Sequence, residues 1–341
     1  MQDISKKTIA MDRRMLFVLL ALALALGMII GSGIGMFGGG QKETAAVLFP
    51  LRAGGFKFIS PLIDCESNPA RELKPFRYKV TSLVTEKLEA DEAAEISVYF
   101  RDLNNGHWFG INENDKFSPS YLLKIPVLIA YLKRAESNPL ILKRRLPYAG
   151  SEDRTKELHI RPVRPMQVGQ SYTVDNLILR MTAYADENAF QVLSANLPAG
   201  SLNKIFADLD IDYDPLKQDD ALSLTAYASF YRVLFNASYL NREMSEKALE
   251  YLSNATIEGG IAAGVPPGVT VASKFGERTL QRDGEAEGEE IKQLHEFGII
   301  YYPGRPYLLG VMVRGNDFKK LEKAIREISH TVYQEVYRQS P

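Results

Sequence analysis

The chain has 341 residues, 45% of them hydrophobic and 24% charged, which suffices for one large domain or two small ones and rules out a disordered or collagen-like polymer. A formal net charge of -1 carries no electrostatic footprint for nucleic acid. The single cysteine, Cys65, excludes an internal disulfide and reads as a shielded free thiol.

Lys6, Lys7, Arg13 and Arg14 precede Met15 to Phe37, a run without a charged residue. That run is long enough to cross a hydrocarbon layer of about 30 Å. The basic residues before it place 1–14 in the cytoplasm and the rest of the chain outside. The run exceeds a typical h-region and no Ala-x-Ala site follows, so 15–37 is expected to be an uncleaved transmembrane signal anchor rather than a removed signal peptide. The protein would then be a single-pass protein of the cell membrane with an extracytoplasmic C-terminal domain. Residues 38–75 open on Gly38-Gly-Gly40 and carry Pro50, Pro61, Pro69 and Pro75 without sustained periodicity. They read as a linker, partly ordered where it meets a folded domain of residues 76–341.

From Phe76 to about Ala93 the spacing of Val80, Leu83, Val84 and Leu88 predicts an amphipathic helix. Ile96 to Leu103 and His107 to Ile111 are β-rich runs flanking Asn104-Asn-Gly106, a hairpin pattern. Next, Ser118 fits an N-cap and Pro119 a first helical position, so a buried helix is expected from there, with Lys124 about two turns in. Helical segments are expected near 173–195, 201–208, 222–236 and 243–255. Strands are expected at 269–274, 295–302 and 307–314. A last helix, 318–337, aligns Leu321, Ile325, Ile328, Val332 and Val336 on one face. Gly284 to Glu290 is an acidic run of the kind that forms a solvated loop.

Lys124 is the unusual residue of the buried helix, because Leu122, Leu123, Ile125 and Val127 surround it. Such an ammonium must reach a polar cavity or be desolvated, and desolvation lowers a lysine pKa. The stretch Phe117-Ser-Pro-Ser-Tyr121-Leu-Leu-Lys124-Ile-Pro126 resembles the nucleophile helix of the serine β-lactamase and penicillin-binding protein superfamily. There a Ser-x-x-Lys motif opens a buried helix, and the common form is Phe-x-Pro-Ala-Ser-Leu-Leu-Lys-x-Pro. The serine position here is Tyr121. Met181-Thr-Ala-Tyr184-Ala185-Asp186-Glu187-Asn188-Ala189 matches the frame of the family's Ser-Asp-Asn segment, with Ala185 for serine and Glu187 for asparagine. Val271-Ala-Ser273-Lys274-Phe275-Gly276-Glu277 matches its Lys-Thr/Ser-Gly strand, with Phe275 for the hydroxyl residue.

The resemblance covers about residues 76–338 and implies an α/β (α+β) class A β-lactamase-like fold. A five-stranded antiparallel sheet flanked by helices packs beside an all-helical lobe, with the site in the crevice between them. The resemblance also implies that Ala185 cannot relay a proton and that Glu187 places an anion where carboxylate-bearing substrates approach. Phe275 removes the hydroxyl for a substrate carboxylate, while Lys274 and Gly276 keep an anion-attracting charge and a close backbone approach. The acidic loop Asp208-Leu-Asp210-Ile-Asp212-Tyr-Asp214, with Asp219 and Asp220 beyond it, holds no glutamate to activate water. The oxyanion hole would come from the backbone N–H groups of Tyr121 and Glu277.

The expected protein is therefore an inactive, membrane-anchored pseudoenzyme with a binding or scaffolding role in the cell envelope. A cell-wall peptide or an envelope protein would be its partner, without nucleic acid or cofactor. One alternative is an active serine hydrolase of β-lactamase or peptidase type using Ser120 with Lys124, since residues four apart share a helix face. A nucleophile shifted by one residue, about 100° around the axis, points away from the oxyanion hole. A tyrosine nucleophile at Tyr121, activated by Lys124, reaches too far for the scissile carbonyl. A third reading is a structural module whose crevice is closed by Tyr121 and Phe275. His107, His159, His295 and His330 lack ligand spacing, so no metal is expected. Trp108 reads as sheet packing, and Asn236-Ala-Ser238 and Asn254-Ala-Thr256 as chance matches to a glycosylation pattern.

Overall fold

A computed structural model of the chain describes residues 55–61, 73–118, 120–150, 153–156, 158–215, 217, 221–255, 259–281 and 290–340, except for the side chains of Ser120, Tyr121 and Gln281. The expected membrane span, most of the expected linker, Cys65, Asp219, Asp220 and the acidic run up to residue 289 lie outside the described residues. Among the described residues no helix is long and apolar enough to cross a membrane.

Helix α1 (Lys74–Glu89) leads into the hairpin β1 (Glu95–Asp102) and β2 (Trp108–Ile111), turned at Gly106, whose φ of 74° suits a residue without a Cβ. After the short β3 (Lys116–Phe117), residues Ser120–Leu123 wind as a 3-10 turn into α2 (Lys124–Ser137). The helical lobe continues through α3 (Leu140–Lys143), β4 (Arg145–Pro147), β5 (Ser171–Thr173), α4 (Val174–Ala183), α5 (Glu187–Ala195) and α6 (Ser201–Asp208). It closes with β6 (Leu222–Ser223), α7 (Leu224–Phe235) and α8 (Arg242–Ser253), after which α9 (Gly260–Ala263) packs against the C-terminal helix on the other face of the sheet. The chain then returns to the sheet as β7 (Val271–Gln281), β8 (Glu290–Ile300) and β9 (Tyr307–Gly315), and ends in α10 (Phe318–Gln339).

The five-stranded sheet runs β2-β1-β9-β8-β7 with every neighbouring pair antiparallel. Strand pleating sends successive side chains to opposite faces. On one face Val98, Phe100, Phe109, Val311 and Val313 join Phe76, Val80 and Val84 of α1 and Leu321, Ile325, Ile328 and Val332 of α10 in an apolar core. On the other, Tyr99, Ala272, Phe297, Ile299, Leu308 and Met312 meet the helical lobe in a second core. Helices thus cover both faces, as the resemblance implies.

Several boundaries differ from the sequence expectation. The α-helix starts at Lys124, not at Ser118, and its N-cap position is Leu123, which offers no capping side chain. Ser118 is not a cap because its Oγ accepts a hydrogen bond from Arg278 Nη1 at 2.5 Å. Lys124 therefore stands at the helix start rather than two turns in. The expected helix 173–195 is two helices, broken at Tyr184 to Asp186, where Ala185 takes a left-handed φ of 58°. Strand β7 continues past residue 274 to Gln281, so Lys274 to Glu277 lie inside the sheet.

Part of the segment read as linker packs on the domain. Phe58 and Ile59 are buried in the core of the helical lobe, and the Glu246 carboxylate accepts from the backbone N–H groups of Lys57, Phe58 and Ile59 at 2.7 to 3.0 Å. A carboxylate holding three consecutive amides fixes the segment in the way a helix cap fixes a terminus.

Candidate active site

The motif positions converge where α2, the α4–α5 junction and β7 meet. Lys124 opens α2, and its Nζ stands 2.8 Å from Glu187 Oε2 at the start of α5, with both side chains all but fully buried. Burial of both partners makes the pair mutually obligatory, because removing one leaves a desolvated charge.

Asp186 is the N-cap of α5. Its Oδ1 accepts from Asn188 N at 3.0 Å and Ala189 N at 3.4 Å, and Oδ2 accepts from Met166 N at 2.9 Å. Burial raises its carboxyl pKa, and the three backbone donors work against that rise. These three bonds all go to backbone that shapes the rim. Ala185 precedes it in the left-handed conformation, which costs about 1–2 kcal/mol in a residue with a Cβ.

On β7 the pleat sends Ala272 to the core of the helical lobe and Phe275 to the core beneath α10. Lys274 Nζ donates to Thr182 O at the end of α4 at 3.4 Å and lies 4.4 Å from the centre of the Phe275 ring. Its pKa is pushed well below that of an ordinary lysine, first by burial and then by repulsion from Lys124. Ala185 and Phe275, two positions where the motif has a hydroxyl, belong to the same apolar cluster as α10. Gly276 lies within β7, paired with His295 of β8.

Glu277, next along β7, is buried and holds backbone rather than substrate. Its Oε1 accepts from His159 N at 2.7 Å and its Oε2 from Ile160 N at 3.2 Å. Burial raises its pKa, partly offset by those two donors. A further buried carboxylate that no motif marks, Glu296 on β8, accepts from Ile261 N at 2.7 Å and Ser273 Oγ at 2.9 Å. Burial raises Glu296 to about 7. Asn188 was also missed: its Oδ1 accepts from Arg154 N at 3.0 Å and its Nδ2 donates to Asp153 Oδ1 at 3.0 Å.

The structure therefore brings together Lys124, Asp186, Glu187, Lys274 and Glu277 with the backbone of Ser120 and Tyr121. The side chains of Ser120 and Tyr121 lie outside the described residues. Among the described residues no group of three His, Cys, Asp or Glu side chains is placed to hold a metal.

Residues 79–336 match the model of the beta-lactamase enzyme family. The chain belongs to that family. Solved structures agree in fold: PBP-A is 20% identical, covering 81% of this chain and all of its own, with a TM-score of 0.62. A class A beta-lactamase from Mycobacterium abscessus is 22% identical, covering 76% of this chain and 98% of its own, with a TM-score of 0.63. A beta lactamase from Xanthomonas campestris is 19% identical, covering 76% of this chain and 97% of its own, with a TM-score of 0.61. A search of curated proteins finds no match.

Proposed function

We propose that this family member binds in its crevice without turning over an acyl-enzyme, as a membrane-anchored pseudoenzyme of the cell envelope. The observation that carries the reading is the buried Lys124–Glu187 pair. A serine acyl-enzyme needs a hydroxyl and a base able to take its proton. Here the lysine of the first motif is committed to a carboxylate that stands in place of the second motif's asparagine. Ala185 and Phe275 supply no hydroxyl, and the carboxylates of Asp186 and Glu277 are taken up by backbone N–H groups. A variant of PBP-A is described as an acyl-enzyme complex with penicillin G. This chain keeps the fold of that protein and replaces the groups that would perform such a step.

Lys274 suits recognition of a carboxylate-bearing cell-wall peptide or of an envelope protein, as a buried amine on the strand that lines the crevice whose protonation an incoming carboxylate would favour. Anchoring through Met15 to Phe37 would hold the domain on the outer side of the cell membrane. Calorimetric titration of the full chain with a short cell-wall peptide ending in a free carboxylate tests the reading. Saturable binding that is lost in Lys274→Met, with the peptide recovered intact, is the expected result. Release of a cleaved peptide would overturn it.

A further inference from the structure

Residues 153–156 and 158–166 lie between β4 and β5, within the helical lobe, yet their bonds reach across to the sheet. The segment starts on the lobe: Arg154 N donates to Asn188 Oδ1, and Asp153 Oδ1 accepts from Asn188 Nδ2 and from Thr155 N and Oγ1. Its middle sits on the sheet and α10. His159 N and Ile160 N donate to the Glu277 carboxylate of β7, and the His159 ring stacks on Phe318 with centroids 5.0 Å apart. His159 Nε2 also stands 3.3 Å from Glu322 Oε1, and Ile160 packs against the core beneath α10. The segment then returns to the lobe, where Met166 N donates to Asp186 Oδ2 and Arg180 Nη1 donates to Arg164 O at 2.5 Å.

This path runs from the second motif to the third and back. Its backbone N–H groups donate to Asp186, Asn188 and Glu277, three residues of the two motif segments that face each other across the crevice, and Asp153 accepts from Asn188 Nδ2. Lys124, Glu187 and Lys274 are each exposed by no more than 2% at that junction. We infer that residues 153–156 and 158–166 form a strap over the Lys124–Glu187–Lys274 site, so that any ligand enters only when the His159–Ile160 end lifts from Glu277 and Phe318.

The strap has the features of a segment that opens locally. Its described residues have no regular secondary structure, its anchors are polar bonds, one ring stack and the apolar contacts of Ile160 and Met166, and Arg161, Val163, Arg164 and Pro165 are exposed along it. The inference builds on the crevice being a binding site. Its test reads opening without any ligand, so it succeeds or fails independently of that reading.

The experiment is acetylation of the full chain by a water-soluble amine reagent under native conditions, with the rate at each lysine followed by peptide mass spectrometry. His159→Ala and Phe318→Ala are the variants, because both remove the ring stack without touching Lys124 or Lys274. The expected result in each is a rise of roughly threefold to tenfold at Lys124 and Lys274, with exposed Lys204 and buried Lys87 unchanged. The double variant should exceed neither single one by more than about twofold, since both break the same stack. An unchanged rate at Lys124 and Lys274 would overturn the strap. So would a rise shared equally with Lys87, which lies in the α1–α10 ion network away from the crevice.

Discussion

The two faces of the five-stranded sheet differ in what they bury beside their apolar cores. Beneath α1 and α10 the interior is apolar and aromatic, with Phe76 set against Phe100 and Phe109 at centroid distances of 4.8 and 5.0 Å. Toward the crevice the interior contains Lys124, Glu187 and Lys274, with Asp186 and Glu277 at its margin. Apolar burial is favourable wherever it occurs, at roughly 25 cal/mol per Å². Buried charge is tolerated only when each partner is present, and a well-packed apolar replacement often does as well or better. The crevice thus retains an arrangement that stability alone would not select, while the hydroxyls such an arrangement serves in acyl transfer are absent at Ala185 and Phe275. That contrast fits the proposed reading of the crevice as a binding site.

Single and paired substitutions separate the two regions most sharply. Phe76→Ala should cost about 3–5 kcal/mol in chemical denaturation, as truncation of a packed aromatic does. Glu187→Ala should cost a similar amount, about 3–5 kcal/mol, by stranding Lys124. The paired changes then diverge. Lys124→Met combined with Glu187→Leu should recover most of the loss, whereas Phe76→Ala combined with Phe109→Ala should be more damaging than either alone. Equal behaviour of the two pairs would erase the distinction between the regions.

A smaller effect comes from Glu296, beside Ser273 and Ile261 with the charges of Lys274 and Glu322 near it. Its folded pKa of about 7 lies above the ordinary glutamate value of 4.5, so the folded state binds more protons than the unfolded one between those values. Its contribution to stability is complete below about pH 4.5 and is lost as pH rises toward 7. His295, buried and depressed to about 3, acts in the opposite sense: its contribution is complete above the ordinary histidine value of 6.5 and is lost as pH falls toward 3. The wild type minus Glu296→Gln difference isolates the glutamate. It should decline from pH 4.5 to 7 in paired denaturation series, and a flat difference would contradict the assignment.

The least effect is expected at the helix break. Ala185→Gly should stabilise by about 0.5 kcal/mol, the relief of left-handed strain less the added freedom of the unfolded chain.

Legibility in the sequence followed periodicity. Strands β1, β8 and β9 and helix α10 were readable because their apolar residues recur at the spacing of the faces they bury. Lys124 stood out as a cation inside an apolar run, but Asp186, Glu187 and Lys274 were readable only through the resemblance, since the residues of the Lys124–Glu187 contact are far apart in the chain and no local pattern joins them. The break at Ala185 was hidden because a left-handed turn usually announces itself with glycine or asparagine, and alanine gives no such sign. The segment from 153 to 166 was not recognised as structure because its anchors are backbone N–H groups, which every residue but proline carries. His159 looked isolated for the same reason: its partners, Phe318 and Glu322, belong to a helix at the other end of the domain.

The central claim is that the crevice keeps its charges and has lost its acyl-transfer chemistry. Intact-mass spectrometry of the full chain after prolonged exposure to excess reactive penicillin tests it most directly, alongside Ser120→Ala and Tyr121→Phe. The account predicts an unmodified mass in all three. A penicilloyl adduct on the wild type that disappears in Ser120→Ala or in Tyr121→Phe would contradict it and identify the nucleophile.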